Sequence, residues 1–197
     1  MDSIAGLDEA GRGAWAGPVF AAAVILPNDS EIHKKLYGVR DSKLMTPKQR
    51  VRWAKIIKLT VSDWAVGSAT NREIDEYGIL FATCLAMCRA ISQLRTEPRH
   101  LLIDAVHLPD LEQPQTILIK GDQRCLSVAA ASVLAKTARD ACMCDLARSY
   151  PLYGFHQNKG YGTASHHKAL EQYGVCPYHR ISFAPMNSLS SCYNFKS

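Results

Sequence analysis

Four carboxylates stand where short apolar runs end: Asp8 and Glu9 after Ser3 to Leu7, Asp104 after His100 to Ile103, and Asp122 just beyond Ile117 to Ile119. Runs of this kind read as buried strands, and strand ends in mixed α/β sheets are where sites are commonly assembled. Carboxylates brought together repel one another and raise each other's pKa unless cations compensate. Hard oxygen ligands favour Mg²⁺ or Mn²⁺ over zinc. Two such ions about 3.5 to 4 Å apart can activate a water and stabilise the leaving oxygen of a phosphodiester. Asp after a strand is also ordinary turn chemistry, so spacing alone leaves both readings open.

A glycine-rich segment follows the first acids. Gly11-Arg12-Gly13-Ala14-Trp15-Ala16 fits the G-x-G-x-x-A dinucleotide fingerprint, with Asp29 and Glu31 about twenty residues on. That fingerprint requires a helix next, whereas Gly17-Pro18 leads into an apolar run that reads as a strand. A better use of these glycines is a backbone that approaches a ligand closely, able to read a group as small as a ribose hydroxyl. The histidines show no H-x-x-x-H spacing for zinc, so His156, His166, His167 and His179 read as surface or structural. The seven cysteines are odd in number with no C-x-x-C, the pattern of free thiols packed as small hydrophobes.

The elements needed to position the acids can be read in outline. Val19 to Leu26 is a buried strand bounded by prolines, and Val61 to Thr70 alternates like a third strand. Between them Thr46-Pro47-Lys48-Gln49 marks the start of a helix to about Lys58, with a capping Thr, Pro at its first position and Gln three residues on. Three early strands with that inserted helix suggest an antiparallel start. Ile79 to Leu94 has helical apolar spacing, and Ser127 to Arg148, Ala-rich and without Gly or Pro, is a strong helix. Tyr153 to Thr163 holds three glycines and three aromatics, a shaped loop before a short helix from about Ser165 to Tyr173. The tail from Ser188 to Ser197 carries no clear element.

Composition limits the rest. At 197 residues, 47% hydrophobic and 21% charged, the chain is ordinary for one globular domain. No apolar run approaches a membrane span, and the acidic N-terminus does not read as an export signal. A cytoplasmic protein is the expectation. The net charge is +5, and cations bound to four of the 18 acids would leave nine excess positive charges. Such a surface suits a phosphate backbone.

The motifs Gly6-Leu7-Asp8-Glu9-Ala10-Gly11-Arg12-Gly13, Ala16-Gly17-Pro18-Val19, Asp41-Ser42-Lys43, Leu102-Ile103-Asp104 and Lys120-Gly121-Asp122 then occur in order. They are followed by Ala130-Ala131-Ser132-Val133-Leu134-Ala135-Lys136, Asn158-Lys159-Gly160-Tyr161-Gly162-Thr163 and His179-Arg180-Ile181-Ser182-Phe183. From about residue 4 to 186 this sequence resembles the type 2 ribonucleases H, specifically bacterial ribonuclease HII. The resemblance implies an α/β fold of the ribonuclease H kind, a mixed five-stranded sheet flanked by helices with a C-terminal helical extension from about residue 150. It implies a Mg²⁺- or Mn²⁺-dependent endonuclease that cleaves RNA in RNA/DNA hybrids and incises 5′ to single ribonucleotides in duplex DNA.

By that resemblance Asp8, Glu9, Asp104 and Asp122 are the catalytic metal ligands, the same acids that the strand ends pick out. Gly11, Arg12 and Gly13 match the segment on the ribonucleotide 2′-hydroxyl, and Tyr161 matches the tyrosine that recognises the RNA-to-DNA junction. Ser42, Lys43, Ser132 and Lys136 fall in segments resembling those that contact the backbone. Ala14-Trp15 departs from the usual pattern of Pro followed by an aliphatic residue, leaving Trp15 beside the groove or in the core. A single domain acting as a monomer is expected, with no room for the additional N-terminal domain of the ribonuclease HIII branch. A sliding clamp as partner has no support beyond the short Tyr193-Asn194-Phe195. The alternative from another class is a nonenzymatic nucleic-acid-binding module on the same scaffold.

Overall fold

The computed structural model describes residues 3–39, 42 and 45–189. Its sheet is built from β1 (Ile4–Ala10), β2 (Val19–Ile25), β3 (Asp63–Ala69), β4 (His100–Asp104) and β5 (Gln115–Leu118), in the order β3-β2-β1-β4-β5. The first three strands pair antiparallel, and β4 and β5 continue parallel from β1. Gly17-Pro18 leads directly into β2. No helix follows the glycine-rich turn, so the dinucleotide fingerprint fails where the sequence predicts.

The helices are α1 (Ile32–Lys35), α2 (Pro47–Thr60), α3 (Asn71–Tyr77), α4 (Ile79–Ser92), α5 (Gly121–Arg124), α6 (Leu126–Ser149), α7 (Phe155–Asn158), α8 (Ala164–Tyr173) and α9 (Met186–Leu189), with a 3-10 turn at Pro151–Tyr153. The capping box at Thr46 and Gln49 forms as expected, and Thr70 with Glu73 repeats it at α3. The four-residue helices α1, α5, α7 and α9 go beyond the sequence expectation, because one turn is too short for periodicity to show.

Strand alternation sends Ala5, Leu7, Leu101 and Ile103 into one core cluster with α4, and Ala22 and Val24 into another with α2 and α6. Ala130 and Ala131 are fully buried on α6, small enough for this long helix to lie close on the sheet. A third cluster joins Ala16, Met143 and Ala147 to Phe155, Leu170, Cys176 and Met186, seating the C-terminal helical segment against α6. One expectation needs correction: the Ile117 to Ile119 run is not a buried strand. β5 lies at the edge of the sheet with one neighbour, so Ile117 and Ile119 are exposed. Among the described residues all six cysteines are free, and no helix is long and apolar enough to cross a membrane.

Candidate active site

β1 and β4 run parallel with Leu7 beside Ile103, so the next pair in register is Asp8 and Asp104, on the sheet face covered by α6. Glu9 points to the opposite face by strand alternation. Asp8 is buried and accepts from the Glu9 amide (2.7 Å). Burial pushes its carboxyl well above the usual carboxylate range, and the charges of Glu9 and Asp104 add to the effect; bonds from Ser132 and the Glu9 amide only partly offset it. Glu9 meets Arg12 Nη1 at 3.4 Å. Asp104 accepts from the Gly121 amide (2.9 Å), which ties the end of β4 to the start of α5, where Asp122 is buried.

The structure thus brings both Glu9 and Asp104 into electrostatic reach of Asp8, with Asp122 on the adjoining helix. Among the described residues no three His, Cys, Asp or Glu side chains stand close enough to form a ready metal cage. Each of Asp8, Glu9 and Asp104 instead engages a protein donor.

Ser42 and Ser132 depart from the expected contact with a nucleic-acid backbone. Both are buried, and their hydroxyls pair at 2.8 Å. Because Ser132 also bonds Asp8, this pair supports the Asp8 carboxyl from within. Lys136 binds Asp140 (2.7 Å), which also takes Arg50 (3.0 Å). The Lys136 ammonium lies 5.2 Å from the Tyr161 ring, and Arg139 lies 5.1 Å from it. Lys43 lies outside the described residues.

The glycine-rich turn and the Tyr161 loop form one unit. Trp15 and Ala16 amides both donate to Gly160 O (2.8 and 3.2 Å), and a Cβ on Gly160, at φ +77°, would stand 2.5 Å from Ala16 O. The two glycines of the turn differ. Gly11 is buried at φ +101°, and a Cβ there would collide with Arg139; Gly13 is exposed, with open space beside it. Of the two, only Gly13 presents backbone to open space.

Beneath the loop His166 and His179 are fully buried, their Nε2 atoms 3.0 Å apart. His166 Nδ1 donates to Tyr161 O (2.9 Å), and His179 Nδ1 accepts from the Cys176 amide (2.8 Å). These partners fix the tautomers: His179 Nε2–H donates to a neutral His166. Burial holds His179 down at about 4, with the neighbouring His166 adding to it, and burial also lowers His166. In the unfolded chain the His179 ring takes a proton near pH 6.5. Its contribution to stability is therefore intact above pH 6.5 and lost as pH falls toward 4, on the order of 3 kcal/mol. Denaturant midpoints of wild type and His179→Gln across this range check it: wild type should lose stability more steeply, and identical slopes contradict the assignment.

Arg139 and Arg180 are fully buried, and sequence reading assigned neither a role. For Arg139 a signal existed: Ala131, Ala135, Met143 and Ala147 recur every four residues on the buried face of α6, and Arg139 sits on that stripe. Trp15 packs against His166 and His167, with ring centroids 5.6 and 6.2 Å apart.

The fold is shared with solved type 2 ribonucleases H. The ribonuclease H2 from Pyrococcus horikoshii OT3 superposes with a TM-score of 0.80 at 26% identity, covering 96% of this chain and 98% of that one. A Bst ribonuclease HIII in complex with Mn²⁺ superposes at 0.74 and 22% identity, over 97% of this chain and 70% of that one. The class is therefore a hydrolase of the ribonuclease H type, an endonuclease, which sets aside the nonenzymatic alternative. The family model for ribonuclease HII matches residues 5–186, and a ribonuclease HII of Roseiflexus castenholzii (strain DSM 13941 / HLO8) is 53% identical over 93% of this chain and 83% of its own length. The chain belongs to the ribonuclease HII family.

Proposed function

We propose that this chain is a divalent-metal-dependent endonuclease that hydrolyses RNA in RNA/DNA hybrids and incises 5′ to single ribonucleotides in duplex DNA, leaving 3′-hydroxyl and 5′-phosphate ends. The carrying observation is the gathering of Asp8, Glu9 and Asp104 at adjoining strand ends, beside a turn whose backbone is open at Gly13. The donor set suits Mg²⁺ or Mn²⁺, being all oxygen, and the raised Asp8 carboxyl marks a place where added positive charge is favourable. Asp8, Glu9, Asp104 and Asp122 would hold the metal, which when bound supplies an activated water and a stabilised leaving oxygen.

The chain's own residues do the positioning. Ser132 and Ser42 hold Asp8, and the Gly121 amide holds Asp104. Backbone N–H and C=O groups of Gly11 to Gly13 read the 2′-hydroxyl, which is both donor and acceptor. Tyr161 stacks on the nucleotide after the scissile bond, where a second 2′-hydroxyl would crowd it. Lys43 and Lys136 would bind phosphates, which position the duplex without reading sequence. The reading takes the chain as one domain, a cytoplasmic monomer, with the third core cluster joining its C-terminal segment to the sheet layer.

Metal dependence is tested on a hybrid with a long RNA tract. Cleavage should require added Mg²⁺ or Mn²⁺ and stop with chelator; undiminished cleavage in excess chelator would remove the metal from the mechanism.

A further inference from the structure

Arg139 and Arg180 spend all five of their hydrogen bonds on backbone carbonyls. Arg139 donates from Nη2 to Ala16 O (3.1 Å), from Nε to Pro18 O (3.0 Å) and from Nη1 to Lys159 O (2.9 Å). Arg180 donates from Nε to Gly17 O (3.0 Å) and from Nη1 to Arg12 O (2.8 Å). One guanidinium therefore spans the exit of the glycine-rich turn and the loop carrying Tyr161, and the other grips the carbonyl between Gly11 and Gly13. Gly11 lacks a side chain where Arg139 needs the space.

This is a costly way to fill a core, since buried cations lose hydration that carbonyls only partly replace. Arg180 Nη2 is buried with no hydrogen-bond partner among the described residues, so the fork is oriented by its two carbonyls at the expense of its third nitrogen. Phe183 covers the guanidinium at 5.2 Å. The arrangement makes sense if the spacing between turn and loop must be held tightly.

We propose that Arg139 and Arg180 are positioning residues that set the distance between Gly11–Gly13 and Tyr161, and so determine selectivity for a lone ribonucleotide without touching substrate. The proposal rests on the roles proposed above for those two segments. A lone ribonucleotide must satisfy the turn and Tyr161 in one register, whereas a long RNA tract offers many registers. Loss of the spacing therefore falls on the first substrate more than on the second.

Arg139→Lys keeps the charge but loses the fork. Its kcat/KM is compared with wild type on a duplex with one ribonucleotide and on a long-tract hybrid, at a temperature where circular dichroism shows the fold intact. Incision at the lone ribonucleotide should fall about tenfold or more, and tract cleavage by no more than about threefold. Equal losses on both substrates are what a merely structural role gives, and overturn the proposal. Gly160→Ala provides a second route, pressing a methyl on Ala16 O while leaving both arginines, and should show the same selective loss; an unchanged ratio overturns the proposal. Arg180→Lys, which loses the fork on Gly17 O and Arg12 O, is the third variant: it should show the same selective loss at the lone ribonucleotide, and equal losses on both substrates overturn the proposal. Wild type that cuts the tract but not the lone ribonucleotide overturns the underlying reading, and the role of the arginines with it.

Discussion

Asp8→Asn is expected to reduce cleavage by about three orders of magnitude or more while leaving hybrid affinity within about threefold. Asp8 sits at the centre of the acid group, buried, beside Asp104 in register and Glu9 in sequence. The amide keeps its shape but removes the charge that would hold a cation. Affinity depends instead on phosphate contacts by Lys and Arg, which the change does not touch. Stability should move the opposite way. The Asp8 carboxyl is raised in the folded state, so the folded chain holds its proton to higher pH than the unfolded chain, and stability falls as pH rises through that window. At neutral pH Asp8→Asn should therefore melt higher than wild type. Single-turnover cleavage, fluorescence anisotropy on a labelled hybrid and a melting curve measure all three; activity close to wild type would refute the central role of Asp8.

The two glycines of the Gly11–Gly13 turn should give opposite phenotypes. Gly11→Ala puts a Cβ into Arg139 at a φ of +101°, a combination of backbone strain and overpacking worth about 3 kcal/mol or more. For a chain of this size that lowers the melting temperature by roughly 6 to 12 °C. Gly13→Ala meets open space and should leave stability within about 0.5 kcal/mol. On the proposed function its cost should appear at the lone ribonucleotide, because the new methyl stands on the open side of the turn. Melting curves paired with incision rates separate the two. Gly13→Ala with full activity on that substrate would take the reading role away from the turn.

Asp8, Glu9 and Asp104 were legible because an apolar run precedes each of them, although β1 runs on through Asp8 and Glu9 to Ala10 and β4 ends on Asp104 itself; β1 beside β4 then sets Asp8 next to Asp104 in register. The helix starting at Pro47 was legible because its cap is written in consecutive residues. What supports the acids was not legible. Ser42 and Ser132 are 90 residues apart and meet only through packing, so their motifs suggested substrate contact where the fold turns the hydroxyls inward. His166 and His179 are 13 residues apart across α8 and a turn, a spacing that matches no simple motif. Arg139 lies among alanines, where a charge is easily read as solvated although the four-residue stripe through Ala135 and Met143 buries it.

The most direct test of the whole account is to map incision at nucleotide resolution on an all-DNA duplex containing one ribonucleotide, with Mg²⁺ or Mn²⁺ present. The account predicts one cut, immediately 5′ to the ribonucleotide, leaving a 3′-hydroxyl and a 5′-phosphate. A cut elsewhere, or none under conditions where the same preparation cleaves a long RNA tract, contradicts it.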